Sequence, residues 1–168
     1  YHVAGTGKNE HDHRAADWSE YRSKTDYGPY WFDGKKRNAN PWVPAPFSNI
    51  GAIDGSFGPL RMDHEGQPAG AGWKYGWGKE QVLDFGSHAT RDLTPDELNA
   101  KWAAKTLKRF AEDRSTQPLF LAVGFVRPHT PIHVPQEYFD RFPVDKLLLP
   151  AGIPNDLDDT YLKSADSS

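Results

Sequence analysis

Three side chains with the chemistry to grip a tetrahedral anion stand in two distant segments of the sequence. Lys8 and His11 follow a short strand-like stretch and a Gly-Thr-Gly turn, and His129 stands in the segment Arg127-Pro128-His129. A lysine places a positive point charge on anionic oxygens, and a histidine can give a proton to a leaving oxygen. The fold must bring the two segments together for these side chains to act on one ligand.

The segment before His129 predicts a buried strand. An unbroken apolar run, residues 119–123, lies between Pro118 and Gly124 and is too short for a helix of ordinary length. Such a run is typical of a central strand that is covered on both faces. Ligands of open α/β sheets collect at the carboxyl ends of strands, and prolines restrict the backbone on both sides of His129. We therefore expect His129 to be held at a strand end.

An amphipathic helix is expected immediately before that strand. Residues 94–97 form a capping box with proline at the first helical position, and the helix should run to about Asp113. Helical spacing predicts an apolar face made of Leu98, Trp102, Ala103, Leu107, Phe110 and Ala111. Trp102 is expected in the core, and a short helix is expected at 135–142. Helix and strand together indicate one half of an α/β unit.

From about Trp18 to Gly78 the sequence shows no hydrophobic period and is rich in glycine and aromatic residues. This composition is too aromatic for a disordered linker, so we expect a long ordered excursion over the domain. Its aromatic rings have two interpretations. They stack on the faces of a sugar, with Trp73 and Trp77 as candidate substrate contacts, or they form a small core of the excursion itself, which we favour.

The composition excludes several classes of function. The formal net charge is -3, from 20 basic and 23 acidic residues, which gives no broad electrostatic footprint for nucleic acid. No stretch approaches the roughly 18 apolar residues of a membrane span. The 168 residues contain no cysteine, so they hold no disulfide and no cysteine nucleophile. The opening at Tyr1, which reads as a strand already in mid-course, suggests an internal piece of a longer chain.

Two groups of possible metal ligands are weak, and we predict no metal ligand in this chain. His11 and His13 form an H-x-H pair, but Ala15 stands where a dinuclear H-x-H-x-D motif needs aspartate, so a polar loop is favoured. An acidic cluster near the end could bind a hard cation, although a solvated helix start is favoured. It consists of Asp156, Asp158 and Asp159.

Both motif-bearing segments resemble the type I sulfatases. Residues 1–11, YHVAGTGKNEH, are similar to the family segment GY-x-x-x-x-x-GK-x-x-H. Residues 120–143, FLAVGFVRPHTPIHVPQEYFDRFP, are similar to FLAVGF-x-[KR]PH-x-P-x-x-x-P-x-x-Y-x-x-x-YP. The nearest branch contains iduronate-2-sulfatase and the bacterial choline-sulfatase-like and polysaccharide sulfatases. The resemblance covers residues 1–13 and about 92–155.

The resemblance implies an α/β fold, part of an alkaline-phosphatase-like mixed sheet flanked by helices, and hydrolysis of a sulfate ester. The family uses a formylglycine nucleophile beside a calcium ion. By the resemblance, Lys8 would contact the sulfate and the nucleophile, and His11 would bond to the formylglycine hydroxyls. His129 would bind sulfate and protonate the leaving alcohol, while Arg127 would position the turn or read an anionic sugar. The expected ligand is a sulfated carbohydrate or another sulfate ester, and the expected location is periplasmic, secreted or lysosomal.

The nucleophile and the metal cage of that family are not in the sequence. No C/S-x-P-x-R motif occurs, since residues 56–61 come near but contain one residue too many. Formylglycine and the calcium ligands are therefore expected outside this chain, in the remaining segments of the same polypeptide, and the chain alone is expected to be inactive. We interpret it as an internal portion of one catalytic domain. Its parts would be the strand and active-site loop 1–13, the excursion 14–91, the helix-strand-turn-helix unit 92–142 and the extended polar tail 143–168.

Two alternatives stay open. One is a phosphodiesterase or phosphonate monoester hydrolase of the same superfamily, because phosphate and sulfate are both tetrahedral oxyanions. The other is a non-catalytic carbohydrate-binding module, in which the aromatic excursion binds glycan and Lys8 and His129 are structural.

Overall fold

A computed structural model describes residues 1–10, 14–43, 56–61, 66–76, 81–113, 117–148, 150–152 and 154. Within these ranges the chain is a mixed α/β structure of three small sheets and two α-helices. This confirms the predicted α/β class at that level. No helix in the described ranges is both long and apolar enough to cross a membrane.

A parallel sheet with the strand order β2-β1-β7 carries the two motif segments. Its strands are β1 (His2–Gly7), β2 (Glu20–Tyr21) and β7 (Leu119–Gly124). β1 and β7 pair over their whole lengths, with Gly7 opposite Gly124. Both strands therefore end at the same edge, which brings Lys8 close to the turn that carries His129.

β7 is not the doubly covered central strand that its apolar run predicted. Among the described strands it lies at the edge of its sheet, and Phe120 is 56% exposed. Helix α1 (Pro95–Glu112) packs against β1 and β7. An apolar run indicates which side chains are stabilised by burial, but it does not determine how many neighbouring elements bury them.

α1 begins with the predicted capping box. Thr94 Oγ1 accepts a hydrogen bond from the Glu97 backbone N–H at 3.4 Å, and a Glu97 carboxylate oxygen accepts from the Thr94 N–H at 2.8 Å. Both bonds satisfy N–H groups that have no partner within the helix. The predicted helix is confirmed to within one residue at its end.

The buried side of α1 differs from the predicted apolar face. Its buried residues are Pro95, Asn99, Ala103 and Thr106, whereas Leu107 is 55% exposed and Trp102 is half-buried. Asn99 is buried because its amide has partners: it accepts from Thr6 Oγ1 at 2.8 Å and donates to the Gly124 carbonyl at 3.4 Å. A hydrogen-bonded polar residue thus replaces the expected apolar contact.

The excursion contains an antiparallel sheet with a core of its own. The sheet has the order β4-β3-β6, from β3 (Tyr30–Asp33), β4 (Arg37–Asn38) and β6 (Ala71–Lys74). Its buried cluster consists of Trp31, Leu60, Ala71, Trp73, Leu83 and Phe85. These strands are too short to produce a visible hydrophobic period. The favoured interpretation of the aromatic residues is confirmed for Trp31 and Trp73, which are buried in this cluster.

A second parallel pair joins the excursion to the segment after β7. β5 (Phe57–Pro59) pairs with β8 (Ile132–Val134), and the short helix α2 (Gln136–Asp140) follows. The predicted short helix is therefore present, with fewer residues than expected. Two single 3-10 turns complete the described elements, Ala15–Asp17 and Val144–Lys146.

Candidate active site

Lys8 and His129 both contact the ring of Tyr27. Lys8 Nζ donates a hydrogen bond to Tyr27 Oη at 2.6 Å and lies 5.2 Å from the ring centroid. The His129 ring meets the Tyr27 ring edge-on, with 4.8 Å between their centroids. The structure thus brings together two residues that the sequence predicted for one site. Tyr27, which joins them, was missed, because nothing in its sequence neighbourhood marks it.

His129 is exposed and presents one ring nitrogen to a ligand. Its Nδ1 lies 2.7 Å from the Thr130 carbonyl oxygen. A carbonyl only accepts, so Nδ1 carries the hydrogen of that bond. Nε2 is then the nitrogen that can exchange a proton with a bound molecule.

A close approach between the ends of β1 and β7 fixes the backbone at Lys8. A Cβ atom on Gly124 would lie 2.1 Å from the Lys8 carbonyl group, and one on Gly7 would lie 2.0 Å from the Gly124 carbonyl oxygen. Gly7 also has a positive φ of 79°. Tyr21 Oη donates to the Gly7 carbonyl at 2.7 Å and holds this bend. Neither glycine has space for a side chain.

We expect Gly124→Ala to destabilise the fold and displace Lys8. The added methyl group meets Lys8 backbone atoms, which cannot rotate away as a flexible side chain would. The expected loss in free energy of unfolding is about 1–3 kcal/mol, measured by urea denaturation. Gly152→Ala is the matched control, because a Cβ there meets nothing within 4 Å. An unchanged unfolding midpoint for Gly124→Ala would contradict this account.

Arg127 holds backbone carbonyl groups in place. Its guanidinium donates to the carbonyl oxygens of His133 at 3.2 Å, Tyr27 at 3.2 Å and Gly28 at 2.9 Å. Burial lowers the pKa of Arg127, and the charge of Asp96 opposes that shift. The Arg127 guanidinium thus already donates to three carbonyl groups. These contacts favour the first of the two predicted roles, positioning of the turn, over recognition of an anionic sugar.

The first turn of α1 holds the backbone that leads to His129. The two carboxylate oxygens of Asp96 accept from the N–H groups of Val126, at 2.9 Å, and Arg127, at 3.0 Å. The peptide bonds before Pro128 and Pro131 are both cis. The bonds to Asp96 tie the turn to a helix of 18 residues, which gives His129 the fixed support expected of a strand-end residue.

A buried serine–histidine pair links β5 to β8. Ser56 Oγ lies 2.8 Å from His133 Nε2, and His133 Nδ1 lies 3.1 Å from the Pro29 carbonyl oxygen. The carbonyl accepts, so Nδ1 carries the hydrogen and Nε2 accepts from the serine. Burial lowers the pKa of His133 to about 4; the bond to Pro29 opposes this shift and Arg127 adds to it. The ring is neutral at pH 7 and only 1% exposed, which indicates a structural role.

Trp73 lies in the core of the excursion. It is 0% exposed, and its Nε1 donates to the Arg61 carbonyl at 2.7 Å. Its ring is in contact with those of Trp31 and His133. Protein atoms surround the ring, so its predicted contact with substrate is not supported. The predictions for His11 and Trp77 fall outside the described residues.

No three His, Asp or Glu side chains are grouped as metal ligands within the described ranges. The pair His11 and His13 and the cluster around Asp156 lie outside those ranges. Since the described residues do not fit a calcium site, we assign no calcium ligand to them.

A cleft lies beside the carboxyl edge of the parallel sheet. Its volume is about 540 Å³, which is within the range of small-molecule sites. The segment that forms one wall is tied to β1, because the Ser23 carbonyl accepts from the Gly7 N–H at 3.0 Å. The lining residues are Arg22, Ser23, Lys24, Asp26, Tyr75, Pro95, Leu98 and Asn99. They combine cationic, carboxylate, aromatic and apolar groups.

Part of the chain is similar to a protein from Formosa agariphila that is named Sulfatase. The two are 40% identical over 77 residues, which are 45% of this chain and 14% of that protein. No protein-family model matches the chain, and no solved structure matches it. The similarity supports the sulfatase family as a whole and does not distinguish the iduronate-2-sulfatase branch from others.

Proposed function

We propose that this chain supplies the sulfate-binding and proton-transfer side of a sulfatase active site. The observation that carries the proposal is the convergence of Lys8 and His129 on Tyr27, at the shared carboxyl edge of β1 and β7. That edge is where ligands of α/β sheets bind. The partial similarity to a protein named Sulfatase supports the choice of sulfate ester over other anionic substrates.

Each residue has a defined role in this proposal. The Lys8 ammonium neutralises charge on the non-bridging sulfate oxygens. As the imidazolium, with a hydrogen on each ring nitrogen, His129 donates the proton on Nε2 to the bridging oxygen as the alcohol leaves and becomes the neutral ring. Arg127 and Asp96 hold the turn so that this nitrogen faces the bound ester. His11 would bond to the formylglycine hydroxyls.

The proposal assigns the nucleophile and the metal to other segments of a longer polypeptide. Formylglycine would supply the group that attacks sulfur and calcium the charge that binds the sulfate, but no step is assigned to either through this chain. The exposed Phe120 on edge strand β7 supports further segments packing there, as in an alkaline-phosphatase-like sheet. The chain would then be one internal portion of a catalytic domain and inactive alone, and we place the intact protein outside the cytoplasm.

A sulfated carbohydrate is the proposed substrate class, in keeping with the branch that contains the polysaccharide sulfatases. The cleft beside the site supports this choice, because Tyr75 offers an aromatic surface and Asp26 a hydrogen-bond acceptor for hydroxyls. Arg22 and Lys24 in the same cleft suit an anionic group on a neighbouring sugar.

Matched esters of one alcohol test the proposal. The intact protein should hydrolyse 4-nitrophenyl sulfate with a higher kcat/KM than 4-nitrophenyl phosphate, while the 168-residue chain alone should release no sulfate. A preference for the phosphate ester would favour the rival phosphodiesterase or phosphonate hydrolase. Hydrolysis of neither ester, together with glycan binding, would favour the carbohydrate-binding module.

A further inference from the structure

We propose that Tyr27 is a third donor of the oxyanion site, whose phenolic hydrogen binds a substrate oxygen between Lys8 and His129. This inference rests on the proposed function and adds to it a residue from the excursion. Tyr27 belongs to the excursion and contacts both Lys8 and His129.

The hydrogen bond between Lys8 and Tyr27 leaves the phenolic hydrogen available. An ammonium group can only donate, so at 2.6 Å the tyrosine oxygen must be the acceptor. The single hydrogen of the hydroxyl then points away from Lys8. The positively charged Lys8 ammonium polarises the O–H bond of Tyr27, so the hydroxyl becomes a better donor to an anion.

The position of the ring places that hydrogen where an anion would bind. The ring contacts His129 at 4.8 Å between centroids, and the hydroxyl contacts Lys8. An oxyanion that touches both the lysine and the histidine must therefore lie close to Tyr27. Three donors would then surround its oxygens: the Lys8 ammonium, the Tyr27 hydroxyl and the protonated His129 ring.

The backbone around Tyr27 is held before any ligand binds. Arg127 donates to the carbonyl oxygens of Tyr27 and Gly28, as described above. On the other side, Asp26 Oδ1 accepts from the N–H groups of Gly28 and Gly76, both at 2.8 Å. Donors that are fixed in advance need no reorganisation when charge develops on the ligand, which is the condition for strong oxyanion stabilisation. Arg127 is thus a positioning residue that acts through Tyr27.

The replacement Tyr27→Phe tests the donor role in the intact protein. It keeps the ring against His129 and removes only the hydroxyl. We expect kcat/KM for 4-nitrophenyl sulfate to fall about 10- to 100-fold, and the Kd of inorganic sulfate, measured by calorimetry, to rise about 10-fold. Tyr138→Phe is the matched control: it removes a hydroxyl that donates to Glu97 at 2.8 Å, outside the site, and should leave both values within twofold.

The two proposals fail in different ways. Sulfate affinity and kcat/KM within twofold of the parent protein in Tyr27→Phe would overturn the donor role, since the ring alone would then be sufficient. If the parent protein hydrolyses only the phosphate ester, the proposed function is wrong. In that case, weaker binding of inorganic phosphate by Tyr27→Phe would still support the donor, and equal binding would overturn it.

Discussion

His129→Ala is expected to lower kcat for a sulfate ester of a sugar alcohol by about 10²- to 10⁴-fold, because the leaving alkoxide loses its proton donor. Lys8→Ala should cause a loss of about 10²- to 10³-fold, because the charge on the sulfate oxygens is no longer neutralised. The proton-donor role predicts a further difference. Nitrophenolate leaves without protonation, so the loss in His129→Ala should be much smaller for 4-nitrophenyl sulfate than for the sugar ester, whereas the loss in Lys8→Ala should be similar for both.

Steady-state kinetics of the intact protein with both esters check this result. His88→Ala is the matched control, because His88 is also an exposed histidine and contacts Glu137 rather than the site. Equal losses for good and poor leaving groups in His129→Ala would contradict proton donation. Unchanged turnover in both His129→Ala and Lys8→Ala would contradict the catalytic assignment and favour a module that only binds carbohydrate.

The sequence predicts the parts of the site that lie at strand ends. An apolar run followed by the segment Arg127-Pro128-His129 indicates a strand and the turn that leaves it, and Gly7 with Lys8 indicates the same arrangement at β1. The parallel pairing of Gly7 with Gly124 brings the two ends together. The meeting of the two ends agrees with the general rule that ligands of open α/β sheets bind at the carboxyl ends of the strands.

The sequence pattern could not identify Tyr27 and Asn99, because their roles depend on residues that are distant in the chain. Tyr27 stands in the aperiodic excursion, and the hydrogen bonds that Arg127 donates to the carbonyls of Tyr27 and Gly28 help to hold it beside His129. Asn99 interrupts an apolar pattern, and helical spacing assigned Leu107 to the core in its place. Burial of Asn99 depends on Thr6 and Gly124, which satisfy its amide. Periodicity carries no information about such pairings.

Among the described residues, Glu97 and His133 make the fold sensitive to acid in different pH ranges. Burial raises the pKa of Glu97, but hydrogen bonds from Arg91, Thr94 and Tyr138 outweigh it and lower the pKa to about 2, from 4.5. The stability that this carboxylate contributes is present above pH 4.5 and is lost as the pH falls toward 2. Arg91 also pairs with Glu137, so these contacts tie the start of α1 to α2. A loss of stability above pH 4.5 must come from a group whose pKa in the unfolded chain is higher than that of Glu97.

His133 is that group, and we expect it to make the protein less stable by about 3 kcal/mol at pH 4 than at pH 7. The pKa of His133 is about 4 in the folded chain, and the reference value of 6.5 represents the unfolded chain. Each pKa unit corresponds to about 1.4 kcal/mol. Between these values the unfolded chain binds a proton that the folded chain does not. Stability is therefore full above pH 6.5, falls as the pH decreases to 4, and is flat below that for this group.

Urea unfolding at several pH values between 7 and 4 measures this loss. His133→Gln removes the titrating ring, so its stability should be lower at pH 7, where the bonds to Ser56 and Pro29 are disturbed, yet should change much less with pH. Gly152→Ala, which adds a methyl group where a Cβ meets nothing within 4 Å, should keep the slope of the parent protein. Parallel curves for the parent and His133→Gln would show that some other group causes the acid loss.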